Sequence, residues 1–220
     1  MPQPFDQSTY QVRLEWGTAG LARLAPADIV VVVDVLRFSS TVTDAAATGR
    51  AVALADARTW SRNGAAVAAA AASGDATVLV GSLRNAAAVA RAVLEIQNRR
   101  QARTSVAVIA AGELTDDGDL RFAVEDLLGA GTIIAALSDL GADHTSPEAA
   151  AACESARGLR RAMRHLLTAS GSGKEIAAGV DATAQIEATG LVPTAPAAAA
   201  EVDATDAVPI LEGAAFVPFV

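Results

Sequence analysis

The chain has 220 residues, is 52% hydrophobic and 19% charged, and carries a formal net charge of -8. That length suits one domain spanning residues 1–220 with enough chain to bury a sizeable core. The acidic balance argues against nucleic-acid binding, and no apolar run approaches the roughly 20 residues that a membrane-spanning helix needs. Two histidines and one cysteine make a structural zinc site unexpected, so a bound metal would be a hard cation on carboxylates.

The lone Cys153 cannot form an internal disulfide, and the opening Met1-Pro2-Gln3-Pro4-Phe5-Asp6 has neither the basic nor the apolar region of a signal peptide. A cytoplasmic protein is expected. The hydrophobic fraction rests on Ala and Val, which points to closely packed small-residue helices on a Val-rich sheet.

Residues 10–16 alternate apolar and polar, the pattern of a half-exposed strand, and residues 17–25 read as a short helix or turn. Residues 28–34 form an aliphatic, β-branched run, the mark of a strand buried on both faces of a parallel sheet. Ser39-Ser40-Thr41 offers caps for a helix to about Thr48. The unit then recurs. A short strand spans 51–55, Asn63-Gly64 opens an Ala-rich helix closed by Ser73-Gly74-Asp75, and 77–81 is a strand whose following Ser82-Leu83-Arg84-Asn85 leads a helix to about Arg99. Residues 105–110 are another strand; after the polar loop Asp116-Asp117-Gly118-Asp119, read as a solvated turn, a helix runs over about 123–140. Strand–turn–helix repeated in this order predicts an α/β fold, a three-layer α/β/α domain with a mostly parallel central sheet.

Pro147 suits the first position of a helix reaching about Ala169, broken by Ser170-Gly171-Ser172-Gly173, and residues 174–179 form a helical turn. Residues 183–186 and 208–211 are strand candidates, and Pro193-Thr194-Ala195-Pro196 with its alanines is a linker or a short capping helix.

In an open parallel sheet the ligand lies beyond the carboxyl ends of the strands, where helix N-termini also point. Four polar clusters fall there: Asp34 to Thr41, Arg62-Asn63-Gly64, Ser82 to Asn85, and Gly112-Glu113. Asp34 closes an aliphatic strand, where a carboxylate is costly without a partner; it could hold Mg²⁺ or act as nucleophile or base. Arg37 could clamp an oxyanion bidentately, or pair with Asp34 to pin the turn. Glu125 and Asp126 open a helix, and their side chains point about 100° apart, so one at most should face a site there; Glu113 is another possible ligand. His144, His165 and Cys153 show no partner spacing.

Asp34-Val35-Leu36-Arg37-Phe38-Ser39-Ser40-Thr41 resembles the strand-end motif of the 2-phosphosulpholactate phosphatase family, Mg²⁺-dependent enzymes of coenzyme M biosynthesis. Asn63-Gly64, Gly81-Ser82-Leu83-Arg84-Asn85-Ala86, Ala111-Gly112 with Arg121 to Asp126, Gly129-Ala130-Gly131, Ser172 to Glu175 and Val208-Pro209 are similar to further family elements in the family's order. The resemblance spans nearly the whole chain. It implies hydrolysis of a small acidic phosphate monoester, with Asp34 and one of Glu125 or Asp126 holding Mg²⁺. Arg37, Ser39, Ser40, Thr41, Asn63, Gly64, Ser82, Asn85 and Gly112 would bind the substrate, and a metal-bound water or Asp34 itself would attack phosphorus. It also makes a homodimer plausible. Family members carry a long segment before the Asn-Gly turn, and here only about residues 56–62 stand in its place. An open or incomplete site is therefore an expectation too, and with it an alternative role as a binder of an anionic metabolite or an oligomeric scaffold.

Overall fold

The computed structural model describes residues 3–115, 117–179 and 181–220. Met1 and Pro2 of the opening segment and Asp116 of the acidic loop therefore lie outside the described residues.

The amino-terminal half alternates as expected. Strand β1 (Val12–Trp16) runs into α1 (Gly17–Arg23), β2 (Ile29–Val33) into a tight turn over Val35–Ser39 and α2 (Ser40–Ala47), and β3 (Val52–Ala53) into α3 (Leu54–Trp60) and α4 (Gly64–Ala71). Then come β4 (Thr77–Gly81), α5 (Ala86–Arg100), β5 (Val106–Ala110), a small hairpin of β6 (Glu113–Leu114) and β7 (Leu120–Arg121), and α6 (Val124–Asp139). The remaining elements are α7 (Pro147–Leu159), α8 (Met163–Ala169), α9 (Gly171–Ala178), α10 (Asp181–Ala188), α11 (Pro196–Ala199), β8 (Pro209–Glu212) and β9 (Ala215–Pro218).

The main sheet has the order β1-β5-β2-β4-β8-β9-β3. Its first four strands are parallel, with Ile29 level with both Val106 and Thr77. β8 turns antiparallel against β4 through Leu79 and Ile210. β2 is buried along its whole length, as its unbroken valine run requires. Side chains alternate across it: Ile29, Val31 and Val33 join the core shared with α5, α6 and α7, while Val30 and Val32 join the core shared with α2, α3 and α4. These two cores are the interfaces of a three-layer α/β/α domain.

Small residues set the helix spacing. A Cβ on Gly131 of α6 would sit 2.1 Å from the Ala152 carbonyl oxygen of α7, so the two backbones lie almost in contact. Caps start the later helices: Ser146 accepts from the Ala149 N–H with Pro147 at the first position of α7, and Ser170 accepts from the Gly173 N–H at the start of α9.

Three expectations need correction. Residues 183–186 are not a strand but the middle of α10, where Ile186 is fully buried beside α3 while Gln185 stays exposed; a single buried apolar per turn suits a helix better than a four-residue alternation suits a strand. The helix from Pro147 does not run unbroken to Ala169: a 3₁₀ turn over Arg160–Ala162 divides it into α7 and α8. The loop after Gly112 is gathered into the β6–β7 ribbon, through Glu113 with Arg121 and Leu114 with Leu120.

Candidate active site

The end of β2, the start of α4 and the loop after β5 meet over the carboxyl edge of the sheet. They enclose a cavity of about 90 Å³ whose charged lining is Asp34, Arg37, Arg62, Glu113 and Glu175. Larger hollows lie elsewhere: the widest, about 550 Å³, opens at the opposite, amino-terminal edge of the strands, and one of about 290 Å³ combines alanines with Arg91, Asp139, Arg157, Arg160 and Asp203. Position at the carboxyl edge of the parallel strands and the buried Asp34 carboxyl favour the small cavity.

Asp34 is buried, and its Oδ2 accepts the Gly64 N–H at 2.9 Å and the Ser61 hydroxyl at 3.4 Å. Asn63 precedes α4 but makes no side-chain cap, so Asp34 caps that helix from 30 residues away. Burial pushes the Asp34 carboxyl up to about 6; the Gly64 N–H pulls the other way, and Glu113 and Glu125 push it up further.

Arg37 is half-buried, which lowers its pKa against the opposing pull of Asp34, Glu175 and Glu113. It donates to the Thr183 hydroxyl at 2.9 Å. It makes no ion pair with Asp34 within 4 Å among the described residues, so its charge remains directed at the cavity rather than spent on the turn.

Asp126 holds the floor in place. Its two oxygens accept the Val35 N–H at 2.7 Å and the Gly112 N–H at 2.9 Å, tying together the ends of β2 and β5. Burial first, then the charges of Asp34 and Glu125, raise its pKa well above the ordinary value. Glu125, also buried, accepts the Ser172 hydroxyl from α9. Glu113 accepts from Asn63 Nδ2 at 3.1 Å, linking the loop after β5 to the start of α4.

Thus Asp34, Arg37 and Asn63 come together as expected. Gly64 and Gly112 adjoin them through backbone N–H groups already taken by Asp34 and Asp126. Other expected ligands are used internally. Ser39 Oγ accepts the Asp34 N–H and donates to the Val32 carbonyl, Ser40 Oγ donates to the Val35 carbonyl, and Thr41 Oγ1 accepts the Thr194 N–H. Ser82 and Asn85 form a capping box on their own turn, and Asn85 also donates to the Ala207 carbonyl. None of these five lines the cavity, so the Ser82 to Asn85 cluster does not converge with the other three.

Two cavity residues had no strong signal. Trp60 reads from sequence as an ordinary core aromatic. Glu175 could have been found only through its place in the Ser172-Gly173-Lys174-Glu175 segment.

The donor set is one of hard oxygens, which suits Mg²⁺ chemically. Among the described residues, however, no three His, Cys, Asp or Glu side chains converge as a complete metal cage. Mg²⁺ ordinarily takes one or two carboxylates and completes its shell with water and substrate phosphate, and this arrangement suits that mode.

Residues 58–213, more than two thirds of the chain, match the model of the 2-phosphosulpholactate phosphatase family. The chain belongs to that family. No curated protein matches it. The 2-phosphosulpholactate phosphatase match begins at Arg58, so it includes Asn63-Gly64, Gly112, Glu125-Asp126 and the Ser172–Glu175 segment; Asp34 and Arg37 precede it and line the cavity with Asn63 and Glu175, whereas Gly112, Glu125 and Asp126 lie outside the lining. Family membership implies a phosphatase, a phosphoric monoester hydrolase. No helix among the described residues is long and apolar enough to cross a membrane.

Proposed function

We propose that the chain hydrolyses a small acidic phosphate monoester of the 2-phosphosulpholactate type, with Mg²⁺, to the hydroxy acid and phosphate. The observation that carries this reading is the meeting of the Asp34 carboxyl with the Arg37 and Arg62 guanidinium groups in one cavity at the carboxyl edge of the sheet. The phosphoryl group sits against the two arginines, whose fixed charge faces its non-bridging oxygens. Asp34 and Glu125 would hold Mg²⁺; Asp126 is a positioning residue, because both its oxygens already fasten backbone N–H groups. When bound, the ion neutralises charge on the phosphoryl oxygens. Water adds to phosphorus as the P–O bond to the hydroxy acid breaks, and the proton the water gives up ends on the departing alkoxide oxygen. Residues 56–62, which stand where relatives carry a longer segment, supply Trp60, Ser61 and Arg62 to the wall, and this supports a formed rather than an incomplete site.

The test is phosphate release from 2-phosphosulpholactate and related monoesters with Mg²⁺. Turnover that collapses in Asp34→Asn is expected. Binding without release across the panel would overturn the reading in favour of an anionic-metabolite binder. The homodimer belongs to the same proposal and is checked by sedimentation velocity.

A further inference from the structure

The hollow of about 290 Å³ lies where the 3₁₀ turn over Arg160–Ala162 divides α7 from α8, against α5 and α6. Its base is apolar: Ala156 and Met163 are buried, and Ala135, Ala136 and Val202 are half-buried beside them. The volume is close to the lower end of the range for small-molecule pockets, about 300–1,000 Å³.

The charged groups around that base are not equally free. Asp139 pairs with Arg157 at 2.6 Å, and Arg157 also reaches Glu154 at 3.0 Å. Asp203 accepts the Ala87 N–H at 2.7 Å in the first turn of α5, and Arg91 pairs with Asp206 at 2.5 Å. Arg160 is left over. Among the described residues its guanidinium makes no ion pair and no hydrogen bond, and neither do those of Arg161 and Arg164. No acidic residue lies between Glu154 and Glu175, so a chain of net charge -8 carries a local surplus of positive charge beside an apolar hollow.

An apolar base with one unspent guanidinium at its edge fits an organic monoanion. The body takes the place of water over Ala135, Ala136 and Met163, and Arg160 receives the head group as a two-pronged pair. Other occupants fit less well. A dianion is repelled twice by Asp139 and Asp203, a cation meets the arginine surplus, and a small inorganic ion leaves the apolar base in water.

We propose that this hollow binds a small carboxylate with an apolar body, anchored by Arg160. It shares no lining residue with the carboxyl-edge cavity, and it does not rest on the phosphatase reading. Asp126 in the first turn of α6 belongs to one site and Asp139 at its end to the other, which separates them by roughly 20 Å along the helix.

The experiment is calorimetry of the whole chain with octanoate, 1-octanol, octylammonium and acetate. Octanoate is expected to bind at least about fivefold more tightly than octanol or octylammonium, and acetate to give no heat at the same concentrations. Arg160→Gln, on the exposed surface, should bring octanoate to within about twofold of octanol, while Arg62→Gln leaves it unchanged. Equal affinity for octanoate and octanol, or a preference for octylammonium, overturns the inference, and these comparisons need no variant. Octanoate binding that survives Arg160→Gln but is lost in Arg62→Gln puts the anion in the carboxyl-edge cavity and overturns it as well. So does the absence of octanoate binding together with a dimer that Arg160→Gln weakens in sedimentation velocity, which would make the hollow a face between two copies. Each readout is binding or mass, so none of these outcomes bears on phosphate release.

Discussion

Replacing Gly64 by alanine puts a methyl group where the structure has no room for it. The new carbon would lie 2.5 Å from Phe38 Cδ1, 2.6 Å from Asp34 Oδ2 and 2.8 Å from Asp34 Cβ, against about 3.5–4.0 Å for an ordinary contact. None of these neighbours can step aside freely. Phe38 is fully buried, tilted against Trp60 and edge-on to Phe216 at 5.4 Å, and Asp34 is held at the end of the central strand. Overpacking of this kind costs about 1–3 kcal/mol, and displacing the charged hydrogen bond from the Gly64 N–H to Asp34 adds about 1.5–3 kcal/mol. The better helix propensity of alanine returns less than about 1 kcal/mol at this first helical position. A net loss of about 2–5 kcal/mol is expected in urea denaturation, together with a fall in phosphate release because the site carboxylate moves. Gly158 of α7 is the control: nothing lies within 4 Å of its added Cβ, and Gly158→Ala should gain about 0.5–1 kcal/mol. A Gly64→Ala chain within about 0.5 kcal/mol of wild type would refute the claim that strand end, ring and helix start are locked together.

Asp126→Asn keeps the shape but turns an N–H toward one of the two backbone N–H groups, so a loss of about 1.5–3 kcal/mol is expected in denaturation; unchanged stability would mean that the carboxylate is not the tie between the strand ends. Ser172→Ala removes the hydroxyl that Glu125 accepts from and leaves a buried carboxylate short of a partner, with an expected loss of about 1–3 kcal/mol. The pH dependence has a definite sign. With the Asp34 carboxyl pushed up to about 6 from 3.8, the folded chain keeps a proton that the unfolded chain has already released, so stability falls as pH rises through that window. The full effect is about 3 kcal/mol. It is present below about pH 4 and gone above about pH 6. In metal-free buffer with chelator, the stability of wild type relative to Asp34→Asn should fall across that range; a constant difference would show that Asp34 titrates normally.

The sheet was legible because its chemistry is one-dimensional. Five consecutive aliphatic residues from Ile29 to Val33 leave few alternatives to a strand covered on both faces, and its polar end, Asp34, marks the carboxyl edge. Asp34, Arg37 and Asn63 were readable for that reason. The serines were not separable from the ligands: a hydroxyl at a helix start looks the same whether it faces a substrate or closes its own turn, and only the Val32 and Val35 carbonyls show which use was made of Ser39 and Ser40. β9 escaped because its pairing is with β8 across the two-residue turn Gly213-Ala214, in a run too short to show alternation. Trp60 escaped because an indole in a packed helix gives no sign, in sequence, that its N–H lacks a partner.

One carboxylate, Asp126, anchors the exits of two adjacent strands at once, and this divides the rim into parts with unequal freedom to diverge. Any insertion or deletion just after β2 or β5 would have to preserve the reach from α6 to both Val35 and Gly112. Among the described residues, the stretch bearing Trp60 makes no backbone tie to either strand exit; it reaches Asp34 through the Ser61 hydroxyl at 3.4 Å and otherwise packs by its side chains. Length can therefore vary there without unfastening the floor.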